Sequence, residues 1–80
     1  MNQEVYKNVV DIISKHVKNR EYMTTLSEET DILSDLKVNS ARLVDIVLDF
    51  EERFNIEIDD DEADKIITIG DAVNLVERLS

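Results

Sequence analysis

One stretch limits the fold more than any other. From Asn39 to Phe54, the residues Leu43, Ile46, Val47, Phe50 and Phe54 recur at i, i+3, i+4 and i+7 spacing, the period that lines one face of an α-helix. A narrower apolar strip of Ala41, Val44 and Leu48 runs beside it at the same spacing. Asp45, Asp49 and Glu52 follow at helical spacing as an acidic ridge. A helix needs one face for a core, and this one carries two more. The surplus reads as a docking surface with Ser40 at its head.

The rest of the chain supports an all-α fold. Pro is absent and Gly occurs once, and no long alternating run signals a strand. A first helix is predicted over residues 3–18, with Val5, Tyr6, Val9, Val10, Ile13 and Val17 buried and Ile12 at the margin. Residues 19–38 form a long irregular connection. A connection this long needs pinning, and Leu26, Ile32, Leu33, Leu36 and Val38 are the expected pins, with one helical turn within 30–36. After the central helix, Asn55-Ile56-Glu57-Ile58 reads as an extended connector with its isoleucines turned inward. The run Asp59-Asp60-Asp61-Glu62 supplies caps and favourable charge for a short helix through Ala63, Lys65 and Ile66. Thr68 and Asp71 have the spacing of a capping box for a last helix whose stripe is Ile69, Ala72, Val73, Val76 and Leu79. Three longer helices and one short third helix make a small four-helix bundle, one domain over 1–80, with the long loop between the first two.

Charge narrows the partners. The chain has 9 basic and 19 acidic side chains. Residues 1–39 hold 7 acidic and 5 basic groups, and residues 40–80 hold 12 and 4. Nucleic acid and anionic membranes are poor partners for such a surface, because binding them relies on Lys and Arg. Proteins with basic patches are good ones. Cysteine is absent, which excludes disulfides and thiolate metal sites. No apolar run approaches the roughly 20 residues that span a bilayer, and the opening residues lack a signal-peptide pattern. A cytoplasmic monomer is expected.

Resident chemistry fares poorly. A calcium loop counted from Asp59 needs Gly at its sixth position and Glu at its twelfth, where the chain has Asp64 and Gly70. A nucleophilic serine needs a base and an orienting group, and the single histidine, His16, has no companion nearby in sequence; it reads as a boundary residue. The chain is therefore not expected to be an enzyme. Ser40 has two readings. Asn39-Ser40 caps the central helix, as Asn and Ser commonly do. Alternatively, Ser40 accepts a phosphate ester at the positive end of that helix, with the chemistry supplied by another enzyme.

The sequence resembles the acyl carrier proteins. Asp35-Leu36-Lys37-Val38-Asn39-Ser40 lies where that family has Asp-Leu-Gly-x-Asp-Ser, and 45–58 looks like its acidic recognition helix and exit. Asp61 to Ile66 and Thr68 to Val73 look like its third helix and the start of its fourth. The resemblance implies a bundle of acyl-carrier type in which Ser40 bears 4′-phosphopantetheine, placed there by a phosphopantetheinyl transferase. The thiol of that arm would hold acyl groups as thioesters for the loading and processing enzymes of fatty acid, polyketide or specialised lipid synthesis. It further implies docking through Ala41, Val44, Asp45, Leu48, Asp49 and Glu52, and a folded-back acyl chain bordered by Leu43, Phe50, Ala63, Ile66 and Ala72. The chain departs from the pattern at Lys37 (for Gly), Asn39 (for Asp), Ala41 (for Leu), Arg42 (for an acid) and Asp59 (for Pro). These departures point to a specialised rather than a housekeeping carrier. A peptidyl or aminoacyl carrier, or an unloaded interaction module binding basic partners, remains open on the sequence.

Overall fold

The computed structural model describes residues 2–80. Four α-helices carry the fold: α1 (Gln3–Ser14), α2 (Ser40–Phe54), α3 (Asp60–Asp64) and α4 (Ile69–Leu79), with a short 3-10 helix at Arg20–Met23 inside the long connection.

α1 opens on an Asn2 cap, whose side-chain oxygen accepts from the N–H groups of Glu4 (2.9 Å) and Val5 (3.1 Å). Its α-helical part stops at Ser14, short of the expected residue 18. Lys15, His16 and Val17 bond three residues back, to Ile12, Ile13 and Ser14, so the end winds tighter, as helix ends often do. Val17 still reaches the core. The buried stripe is also rotated from the expected one. Ile12 is fully buried with Val9 and Ile13, while Val5, Tyr6 and Val10 are only partly covered. α1 packs against both α4 and α2, and a helix with two neighbours needs a broader apolar face than its strongest stripe shows.

The core joins that face to Ile46, Val47 and Phe50 of α2, to Ile69, Ala72, Val73, Leu75 and Val76 of α4, and to Ile32, Leu36, Val38, Ile58 and Ile66 from the connections. α2 ends where Asn55 adopts a left-handed backbone (φ 54°). The Ile56 N–H then reaches back to the Glu51 carbonyl at 3.1 Å, a helix stop that asparagine tolerates well. The Glu51 carboxylate accepts from the Ile58 N–H at 2.9 Å and helps turn Ile58 inward. Asp59 caps α3 by accepting from the Glu62 N–H at 2.8 Å. α3 stops at Asp64, with Lys65 and Ile66 finishing it in tighter turns. The Thr68–Asp71 capping box is present in full.

The long connection is held by its backbone as well as its side chains. The Ile32 N–H bonds the Ile67 carbonyl (2.9 Å), Ile69 bonds Thr30 (3.0 Å) and Gly70 bonds Glu28 (2.8 Å), around one antiparallel bridge between Asp31 and Thr68. The expected helical turn at 30–36 forms as one isolated turn, the Asp35 N–H bonding the Asp31 carbonyl at 2.9 Å, and side chains brace it. Asp31 accepts from the Ser34 N–H, and Asp35 accepts from the Asp31 N–H, each at 2.8 Å. The Ser34 N–H, with further help from the Ser34 hydroxyl and the Leu33 N–H, holds the Asp31 carboxyl below the usual carboxylate range. Of the expected pins, Ile32, Leu36 and Val38 are buried and Leu26 partly so. Leu33 is not a pin: it stands 39% exposed, because the turn spends Ile32 and Leu36 on the core and aims the residue between them outward.

Candidate functional site

At the head of α2 the two polar residues divide their work. Asn39 is the cap: its side-chain oxygen accepts from the Arg42 N–H at 2.8 Å, and its carbonyl takes the Leu43 N–H at 3.0 Å. Ser40 is the first helical residue and is exposed. Its hydroxyl is therefore spared the capping role that the sequence left open to either residue. The first turn of α2 contains no acid, so the positive end of the helix dipole is not offset there by a carboxylate of its own.

Ser40 stands at the rim of an open groove of about 420 Å³ between α2 and the α3 segment. Leu43 and Val47 line it from α2, and Ala63 and Ile66 from the other side. Leu43, Ala63 and Ile66, three of the five residues named as bordering a folded-back chain, therefore meet at this groove. Phe50 and Ala72 do not line the groove, being fully packed into the core. Four exposed apolar residues, Leu33, Val44, Leu48 and Ile67, also line it. Val44 and Leu48, at 59% and 55% exposed, are the second strip of α2 left uncovered. Leu33 and Ile67 were missed as surface residues; periodicity gave no warning, since both lie outside a regular helix. Exposed apolar side chains gathered on one groove mark a binding surface better than scattered ones do.

The acidic ridge is less uniform than its spacing. Asp45 and Glu52 are exposed, and so is Ala41 beside them. Asp49 is half-buried, with its Oδ2 2.7 Å from His16 Nε2 at the end of α1. Arg53, one turn further along, is drawn to α1 by Asn8 (3.1 Å) and Asp11 (3.4 Å). Among the described residues no group of three or more candidate ligands is placed to hold a metal ion, the acidic run at 59–64 included. No helix among them is long and apolar enough to cross a membrane.

Residues 16–76 match the family described as a phosphopantetheine attachment site. The chain belongs to the acyl carrier protein family. The carrier is 40% identical to the acyl carrier protein of Picosynechococcus sp. over 95% of its own length and 91% of that protein. It is 38% identical to the acyl carrier protein of Thermotoga maritima over the same shares. The solved acyl carrier protein of Enterococcus faecalis superposes with a TM-score of 0.80 at 33% identity, covering 98% of this chain and 96% of that one. The all-α, four-helix expectation is borne out. The carrier's cofactor is covalently attached 4′-phosphopantetheine, and its residues fit such a group: an exposed serine at a helix start, no acid in that first turn, and an adjoining apolar groove. Its partners are the phosphopantetheinyl transferase and acyl-processing enzymes, and it works as a carrier rather than a catalyst.

Proposed function

We propose that Ser40 is the attachment residue and that the arm it bears presents acyl thioesters to partner enzymes that read α2. The observation that carries this reading is the division of labour at the helix start. Asn39 takes the cap, which leaves an exposed Ser40 hydroxyl at the rim of an apolar groove. The arm supplies a terminal thiol for thioester formation. Ser40 anchors it, the free N–H groups of the first turn favour its phosphodiester charge, and Leu43, Val47, Ala63 and Ile66 offer apolar shelter for the cargo. That lining favours an acyl over an aminoacyl load. Val44 and Leu48 with Ala41 form the apolar part of the docking face, and Asp45, Asp49 and Glu52 attract basic patches on partners.

Asn39, Ala41 and Arg42 change the charge and contour beside Ser40, which supports a specialised lipid or polyketide pathway. The strong net negative charge favours a self-repelling monomer, and a cytoplasmic location accords with the carrier reading. The test is the intact mass of the chain after incubation with coenzyme A and a promiscuous phosphopantetheinyl transferase. One added arm, absent in Ser40→Ala and retained in Ser34→Ala, is expected. Addition that survives Ser40→Ala would move the site elsewhere, and no addition with several transferases would favour an unloaded interaction module.

A further inference from the structure

The pairing of His16 with Asp49 joins two elements 33 residues apart in sequence at a bond of 2.7 Å. The imidazole is mostly covered, with 14% of its side chain exposed, while the Asp49 side chain keeps 43%. An ionised carboxylate only accepts hydrogen bonds, so Nε2 carries the proton in this contact. That donor is present in both the neutral imidazole and the imidazolium. Protonation at the other ring nitrogen therefore leaves the geometry in place and changes only the charge: the pair passes from −1 to zero.

We propose that His16 is a positioning residue of the docking face. From the end of α1 it holds Asp49 by one oxygen, leaves the other for a partner's Lys or Arg, and sets the charge that this partner meets. The inference rests on the reading of α2 as the docking helix. The charged groups around the pair come from both elements that meet there. Lys15, just past the end of α1, and Glu52 and Arg53 of α2 line the recess beside Asp49, but Arg53 is engaged with Asn8 and Asp11. Asp45 and Arg42 follow one and two turns back along the same side of α2. His16 is thus the group placed to neutralise Asp49 reversibly. A partner cation and the extra proton on His16 oppose one another, so by linkage each weakens the other's binding to the same degree. Basic partners should therefore bind more weakly to the acid form of the pair.

The test uses the full-length apo chain and a phosphopantetheinyl transferase without coenzyme A, so that binding is read without turnover. Dissociation constants are measured at about pH 8 and about pH 5.5, spanning the imidazole range, for wild type, His16→Gln and Asp49→Asn. Titration of the transferase itself is common to all three and cancels in the comparison. Wild type should lose about two- to fivefold more affinity on acidification than His16→Gln, the scale of one partly exposed charge pair. Gln retains a neutral donor and should bind as wild type does at the higher pH; Asp49→Asn should bind more weakly there and show the same flattened profile as His16→Gln. In wild type alone, binding near the middle of the window should release protons, seen as a dependence of the binding heat on the buffer's ionisation enthalpy. Equal pH profiles in wild type and His16→Gln, without that proton release, would reduce the pair to a structural tie between helices and overturn the proposal. Asp45→Lys and Asp49→Lys variants that bind as tightly as wild type would instead sink the docking reading beneath it.

Discussion

Gly70 and Glu28 meet backbone to backbone. The Gly70 N–H donates to the Glu28 carbonyl at 2.8 Å, and a Cβ on residue 70 would lie 2.9 Å from that oxygen and 3.2 Å from the Glu28 Cβ. The only glycine of the chain therefore stands where the long connection presses on the start of α4. Gly70→Ala gains helix propensity but forces two backbones apart, and the clash should win. A loss of about 1–2 kcal/mol is expected by urea unfolding. A stabilised variant would show that the contact yields easily.

Lys37 presents the opposite case, a side chain where glycine would be easier. Its φ of 57° lies in the left-handed region, which disfavours residues with a Cβ by roughly 1–2 kcal/mol. Glycine removes that strain but adds freedom to the unfolded chain. Lys37→Gly should therefore stabilise by about 0.5–1 kcal/mol net, a rise of several degrees in Tm. Lys37→Ala, which keeps the strain, should not.

The division between Asn39 and Ser40 separates two variants that the sequence alone would treat alike. Asn39→Ala removes the acceptor of the Arg42 N–H and should cost about 1 kcal/mol. Ser40→Ala should change stability by less than about 0.5 kcal/mol. Equal losses in thermal melts would return the cap to a shared role.

Asp45 and Asp49 share the acidic ridge of α2, and the His16 contact sets them apart. Asp45→Lys should weaken partner binding and leave Tm nearly unchanged. Asp49→Lys should weaken binding too, but also cost about 1 kcal/mol of stability, since it replaces the acceptor of a partly covered imidazole with a cation. Identical melting curves for the two variants would contradict the structural difference.

How far the chain was legible follows from how local each feature is. The α2 stripes and the Thr68–Asp71 box depend on residues three or four apart and were read from spacing, whereas the run 59–62 offered several caps, of which the fold uses Asp59. The 3-10 helix at Arg20–Met23 was not, although Asn19 supplies its cap by accepting from the Glu21 N–H; four residues are too few for a hydrophobic period. Ile12 stood only at the margin of its stripe because α1 packs against two helices, which widens a buried face in a way one stripe does not reveal; Leu75, buried as well, lay off the α4 stripe. The His16–Asp49 bond and the left-handed Lys37 are set by where distant segments land. At the site, Ser40 and the α2 faces were visible in sequence, whereas Leu33 and Ile67 joined them only through the path of the connections.

Acid should expose the role of Asp31. Its carboxyl is held below the usual range chiefly by the Ser34 N–H, so the unfolded chain takes up the proton first. The stabilisation is then fully present above about pH 4 and is lost as pH falls through the lowered folded-state value. Asp31→Ala should be less stable than wild type at neutral pH, with the gap closing towards about pH 2. Urea unfolding at the two extremes reads this directly, and a gap independent of pH would count against it.

The backbone pairing of residues 28–32 with 67–70 also divides the long connection into two unlike halves. One extra residue between Glu28 and Ile32 would slip the register and misalign three hydrogen bonds together, since strand-like pairing tolerates no offset. The same residue added near Thr24 or Thr25 would only lengthen a tether, at a small entropic cost. What looks in sequence like one permissive loop is, for insertion and for drift in length, a lightly anchored segment followed by a fixed one.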